Sequence, residues 1–135
     1  MSADSGWDVQ TGVYTLLTET VAVTALLAGG VLEHVPADAV FPYVVLGETR
    51  SVPMDSQGAS GNDVTFVLHT YSRGTGMKEA KQIMAALYNA LHNASFAVPN
   101  QTLVLCRLID AETALEGDGL TRHGRQRFQI ITEPV

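Results

Sequence analysis

Between Asp63 and Leu91 the apolar residues switch from strand spacing to helix spacing, and that switch constrains the chain more than any other feature. Val64, Phe66 and Leu68 alternate with Thr65, Val67 and His69, the pattern of a strand with one wetter face. After the turn Ser72-Arg73-Gly74-Thr75-Gly76, residues Ala80, Ile83, Met84, Leu87, Tyr88 and Leu91 fall on one helical face. Lys78, Glu79, Lys81 and Gln82 take the other side. A glycine-bearing turn between strand and helix raises the question of a phosphate site. The phosphate-cradling loop needs a lysine followed by Ser or Thr, and Lys78 is followed by Glu79. The dinucleotide fingerprint needs a third glycine where Glu79 stands. Thr75 is instead expected to cap the helix.

The other elements are read outward from this unit. Residues 1–6 are small and polar and read as loose. A helix is expected from Trp7 to Ala28, with Val13, Leu16, Leu17, Val21 and Thr24 on its stripe and Gly29-Gly30 as its stop. Pro36-Ala37-Asp38-Ala39 connects it to a strand that starts after Pro42, runs through Glu48 and continues toward Val52. Residues 53–62 are rich in Ser, Gly, Gln, Asp and Asn and read as a mobile hairpin loop, pairing this strand antiparallel with the next.

Past the central helix, a connector containing Pro99 leads to a strand from Leu103 to Ala111. Its two faces are both apolar, which predicts an interior strand or one covered by a partner chain. Glu116-Gly117-Asp118-Gly119 is a turn, and Arg125 to Thr132 is the last strand. The order α-β-β-α-β-β predicts an α+β fold: a four-stranded, mainly antiparallel sheet with two helices packed on one face. The opposite face is expected to meet a neighbouring copy, because apolar side chains are spread over both sides of several strands.

A chain of 135 residues with 46% hydrophobic and 16% charged content reads as a single globular domain. Its net charge of −6 opposes a general nucleic-acid-coating role. The N-terminus has no basic segment followed by an apolar one, so no secretory signal is read. The run Val21 to Leu32 is too short to span a bilayer. Cys106, the single cysteine, lies within Leu103-Val104-Leu105-Cys106 and reads as a small buried hydrophobe. His34, His69, His92 and His123 show no metal-site spacing, and His92 falls at a helix end where positive charge is favourable. No catalytic, cofactor-binding or metal-ligating residue is assigned. One segment departs from the acidic background. Arg122-His123-Gly124-Arg125-Gln126-Arg127 holds three of the eight Lys and Arg residues. The plain reading pairs these arginines with Asp110 and Glu112 across strands. The sharper one makes Arg122, Arg125 and Arg127 intersubunit or phosphate contacts.

Several stretches recur together in one known family: Phe41-Pro42-Tyr43-Val44-Val45-Leu46-Gly47-Glu48, the strand ending Tyr71-Ser72-Arg73, and Glu79-Ala80 with Ile83. Asp118-Gly119-Leu120-Thr121-Arg122-His123-Gly124-Arg125-Gln126-Arg127-Phe128 completes the set. On these residues the chain, from about Val13 to Glu133, resembles the tail-completion (tail-terminator) proteins of long-tailed bacteriophages, prophages and gene-transfer agents, the DUF3168-type family. Tyr71 stands where many relatives carry tryptophan. The resemblance implies a structural virion protein, assembled in the bacterial cytoplasm, with no enzymatic activity, cofactor or membrane. It implies a ring, commonly a hexamer, that terminates tail-tube polymerisation at the head-proximal end and joins the tail to the head. The implied partners are copies of itself, the tail-tube protein and the connector or stopper protein, with DNA passing through the lumen without sequence-specific binding. Arg122, Arg125 and Arg127 are then the candidate intersubunit contacts. Asp55, Ser56, Gln57, Gly58, Ser60 and Asn62 form the candidate docking loop for tube or connector. Two other readings are another connector component, stopper or adaptor, and a small-molecule-binding α+β domain, which needs polar groups converging on an apolar cavity.

Overall fold

The structure is a computed structural model that describes residues 5–54 and 61–134. Its elements are α1 (Gly6–Glu19), α2 (Val21–Thr24), β1 (Gly30–Leu32), β2 (Tyr43–Pro53), β3 (Asn62–Ser72), α3 (Lys78–Leu91), β4 (Gln101–Leu115) and β5 (Arg122–Pro134). The strands form one sheet in the order β1-β2-β3-β5-β4. Neighbours are antiparallel except β1 and β2, which run parallel. The α+β class and the antiparallel hairpin of β2 and β3 are as expected. The count of four strands and two helices is not: the sheet is five-stranded and mixed, and there are three helices among the described residues.

Both differences arise between Glu19 and Leu32. The expected single helix breaks at Thr20, whose backbone is extended at φ −93° and ψ 105°. Thr20 Oγ1 donates to the Leu16 carbonyl at 2.6 Å, where a helix end leaves its last acceptors without backbone donors. Thr18, Thr20, Val21, Val23 and Thr24 are β-branched, so continuing the helix costs side-chain freedom at nearly every step. After the break the inward stripe moves to Val23 and Leu27, and Val21 is 76% exposed. α2 ends at Thr24 with Ala25 as its C-cap, so the expected helix stop is not made by Gly30, whose φ is 78°. Gly30 instead opens β1, which pairs Gly30, Val31 and Leu32 with Tyr43, Val44 and Val45.

The core lies between the helices and one face of the sheet. Val9, Val13 and Leu17 of α1 and Ile83, Leu87 and Leu91 of α3 pack with Val44, Val64, Phe66, Leu68, Cys106, Phe128 and Ile130. Even-numbered residues of β3 face even-numbered residues of β5: Val64 is opposite Ile130, and Phe66 opposite Phe128. The two phenyl rings stack at 5.4 Å. Gln126 Nε2 donates to the Met84 carbonyl at 2.9 Å, tying α3 to β5. Gly124 lets Met84 approach, since a Cβ there would lie 2.5 Å from its sulfur.

Three further expectations change. Ser5 is fully buried and its hydroxyl lies 3.0 Å from that of Thr132, while Gly6 opens α1, so the loose terminus does not extend to residue 6. Thr75 does not cap α3; the N-cap is Met77, without a side-chain cap bond. The turn is closed instead by Ser72, whose Oγ donates to Glu79 Oε1 at 2.6 Å and accepts from Gly74 N–H at 3.2 Å. Finally, β4 is not an interior strand: among the described residues it pairs with β5 alone, at the sheet edge. Its register slips at Val104 and again at Ile109, so each is an extra, bulged residue. The apolar character of both faces comes from this interrupted alternation, and Val104 and Ile109 are 50% and 45% exposed.

Gly12, inside α1, gives a decisive packing test. Alanine there would gain about 1 kcal/mol in helix propensity. Its Cβ would lie 2.8 Å from the Ala97 carbonyl oxygen and 3.3 Å from Val98 Cα, both backbone atoms. Overpacking costs about 1–3 kcal/mol, so Gly12→Ala is expected to destabilise the fold by up to about 2 kcal/mol net, seen as a lower urea midpoint at unchanged slope. A raised midpoint would mean that the 97–98 connector yields.

Candidate functional site

The sheet face turned away from the helices collects the polar residues of four strands. The register sets His69 opposite Arg125, Tyr71 opposite His123, Arg125 opposite Glu112 and Arg127 opposite Asp110. Arg127 bonds to Asp110, and Arg125 lies 3.9 Å from both Glu112 and Glu48. Arg107 Nε donates to Gln129 Oε1 at 2.7 Å, and Gln129 Nε2 to Asp63 Oδ2 at 2.9 Å. This is the plain reading of the basic segment. Surface pairs of this kind contribute about 0–1 kcal/mol each, so they order the face more than they hold the fold. Arg122 stands apart, at the start of β5, and donates to the Leu120 carbonyl at 3.0 Å. The three arginines therefore do not form one cluster, and the face is charged and aromatic where an apolar one was expected.

A ladder of rings crosses the same region: Phe41–Tyr43 at 5.0 Å, Tyr43–Tyr71 at 5.3 Å, Tyr71–His123 at 4.6 Å and His123–His69 at 4.9 Å. The Arg73 guanidinium lies over Phe41 at 4.2 Å, a cation–π contact. Where the ladder ends, His69 Nδ1 and His123 Nε2 are hydrogen-bonded at 2.7 Å. Glu48 Oε1 is 2.7 Å from His69 Nε2, and Glu116 Oε1 is 3.2 Å from His123 Nδ1. Gly47 leaves the space, since a Cβ there would come within 2.5 Å of the His69 ring. Burial, and then the charge on His69, hold His123 below the ordinary histidine value. The hydrogen bond from His69 holds the Glu48 carboxyl below the usual carboxylate range. Local spacing could not reveal this pair, because the register of β3 with β5 brings together residues 54 apart.

The neighbouring β4–β5 turn is built on Asp118, which accepts from Leu120 N–H at 2.8 Å, Thr121 N–H at 2.9 Å and the Thr121 hydroxyl at 2.7 Å. Led by the Thr121 and Leu120 amides, these bonds lower the Asp118 carboxyl to about 2. Gly119 supplies the positive φ of 72°. Arg73 Nε donates to Thr121 Oγ1 at 3.1 Å, joining this turn to the end of β3.

The remaining sequence-derived sites resolve individually. Asp55, Ser56, Gln57, Gly58 and Ser60 lie outside the described residues. Asn62 is 2% exposed and opens β3 between Pro53 and Thr132, so it is a strand residue and not a docking side chain. His92 caps α3, but its Nδ1 accepts from Leu108 N–H at 3.1 Å, so that nitrogen carries no proton for the helix dipole. Cys106 is buried, and burial pushes its thiol up to about 12. Among the described residues no group of three or more His, Cys, Asp and Glu side chains is arranged to hold a metal ion. No helix among them is long and apolar enough to cross a membrane. A cleft of about 170 Å³ lies between Trp7, Gln10, Thr11, Tyr14, Glu33 and Leu46. That is below the roughly 300–1,000 Å³ of small-molecule sites. A larger groove of about 390 Å³ between α2 and α3 is walled mainly by Ala22, Ala85, Ala86 and Ala90. It has no charged group to orient a ligand.

Known proteins share this fold and part of this sequence. Residues 11–133 match the family described as Tail completion protein gp17. The chain is 31% identical over 102 residues to the tail completion protein gp17 of Bacillus phage SPP1, which covers 74% of this chain and 75% of that one. It superposes with a TM-score of 0.88 on a chain from the virion of a native gene transfer agent particle, at 22% identity, covering 98% of this chain and 99% of that chain. The last likeness is one of fold.

Asp118 makes the turn sensitive to acid. Its carboxyl is lowered in the fold from 3.8 to about 2, so its contribution is complete above 3.8 and is lost as pH falls through about 2. Asp118→Asn is expected to flatten the stability profile across that interval, measured as urea midpoints along a pH series. An unchanged slope would assign the acid sensitivity to other carboxylates.

Proposed function

The chain belongs to the tail completion protein gp17 family, and from that membership we propose that it closes into a ring of identical copies at the head-proximal end of a phage-type tail. As a family member it is a structural component of the virion. In the proposed role it terminates growth of the tail tube, joins the tail to the head connector and lets DNA pass through its lumen. A hexamer is the proposed stoichiometry. The observation that carries this reading is the family match over residues 11–133, nearly the full length of the chain.

The physical form of the chain supports it. Among the described residues both ends of the sheet are open: β4 pairs only with β5, and β1 only with β2. Val104, Ile109, Leu115 and Leu120 are exposed along β4 and its turn, while Trp7, Tyr14 and Val21 are exposed on the helices beside the other end. Two unlike surfaces on one subunit suit head-to-tail contact, and such contact forms a ring when its rotation closes. A net charge of −6 suits a channel along which DNA slides without sticking. Within this proposal, Arg122, Arg125 and Arg127 reach a neighbouring copy, the last two with carboxylates already beside them in their own subunit, and residues 55–60 meet the tube or connector.

Mass photometry of the purified chain, with and without tail-tube protein, is expected to show a closed oligomer of about six copies. A strict monomer at every concentration and with tube protein present would remove the ring. Particles assembled without the protein are expected to carry overlong tails unattached to heads in electron micrographs. Tails of normal length without heads would favour a stopper or adaptor role. Reversing Arg125 and Arg127 to Glu, or deleting residues 57–61, with no effect on ring formation or head attachment would remove those two residue assignments.

A further inference from the structure

Glu48, His69, His123 and Glu116 make one line across the outer face: carboxylate, imidazole, imidazole, carboxylate, at 2.7, 2.7 and 3.2 Å. The number of protons decides which of these contacts coexist. The Glu48 contact requires a proton on His69 Nε2. The contact between the rings requires another, on His69 Nδ1 or His123 Nε2. Two neutral imidazoles supply those two protons and no more. One of the two carboxylates therefore faces a bare ring nitrogen: Glu116 at His123 Nδ1 if the Glu48 contact is kept, or Glu48 at His69 Nε2 if the Glu116 contact is kept. A third proton converts that opposition into an ion pair and gives the two rings one positive charge in common. A fourth protonates every ring nitrogen and sets N–H against N–H between two cations.

Glu116 is well placed to transmit the difference. Its backbone N–H donates to the Thr121 carbonyl at 2.8 Å, so it stands at the base of the turn that joins β4 to β5. We propose that His69 and His123 form a two-ring proton sensor that holds this turn against the sheet, through Glu116, when the pair carries one shared charge. The neutral pair has protons for only one of its two carboxylates and so holds Glu116 only in part, and the doubly charged pair breaks the contact between the rings.

The groups around the pair set its range. From β2 come Glu48 and Tyr43, from β3 Tyr71, from β5 Arg125, and from β4 and its turn Glu112 and Glu116. For His123, burial is the largest influence and lowers its affinity for a proton; the charge on His69 lowers it further. Glu116 raises it, Arg125 lowers it and Glu112 raises it, leaving His123 below its ordinary value of 6.5. Once the pair holds its shared charge, the second charge enters His123 only below that ordinary value, and the contact between the rings is lost there.

Long-range ¹H–¹⁵N correlation spectra of the imidazole nitrogens in the full chain, recorded along a pH series, test this directly. The wild type is expected to show two transitions separated by more than about one pH unit, as strongly coupled sites do. His69→Gln is expected to raise the His123 midpoint, by removing the opposing charge. Glu116→Gln, at a half-exposed position that packing tolerates, is expected to lower it. Amide exchange of Leu120 and Thr121, corrected for intrinsic rates, is expected to be slowest between the two transitions, and to lose that minimum in Glu116→Gln. The proposal is overturned if both histidines titrate together at an ordinary midpoint, or if turn exchange is indifferent to the charge of the pair.

Discussion

β3 and β5 are bonded in register over eleven consecutive residue pairs, from Asn62 with Thr132 to Ser72 with Arg122, without a slip. The rest of the structure depends on that pairing. A displacement by one residue would turn every side chain of a strand to the opposite face. For β5 it would send Phe128 and Ile130 to water and drive Arg127 and Gln129 against the helices. Both faces therefore enforce the same register. One does so by apolar contact, the other by the cost of burying a charge without its partner.

What is attached to this pair inherits its geometry. α3 is fixed to β5 by the Gln126 bond to Met84 and by the close approach at Gly124. Ser5, just ahead of α1, touches Thr132 of β5 beside the first rung of the ladder. β2 and β4 flank the pair on either side, each adding one carboxylate to Arg125.

The parts legible in the sequence are those where periodicity and packing agree. Val64, Phe66 and Leu68 turn inward, as do Ala80, Ile83, Met84, Leu87 and Leu91, whereas Tyr88, read on the same stripe, is exposed and Val67, read on the wetter face, is buried. The pairing of Arg127 with Asp110 and of Arg125 with Glu112 was equally accessible, since opposite charges on adjacent strands have short routes to each other. The misses share a different cause. β1 is three residues long and exists only because β2 lies beside it. The break at Thr20 comes from a side-chain bond to Leu16 that competes with the helix. Met77 replaced Thr75 at the start of α3 because Ser72 and Glu79 had already closed the turn. The meeting of His69 with His123 was invisible until two distant strands were aligned, since neither residue has an informative neighbourhood of its own.

The bulges in β4 have a bearing on the fate of the subunit outside its assembly. A smooth edge strand of fifteen residues would offer any passing strand a long run of unpaired donors and acceptors, the template on which fibrils grow. Interrupted at Val104 and again at Ile109, that edge becomes three short ladders with kinks between them. An indiscriminate strand can zip along one ladder before its spacing fails. Only a surface shaped with matching interruptions can follow the whole edge, as a key must carry the wards of its lock.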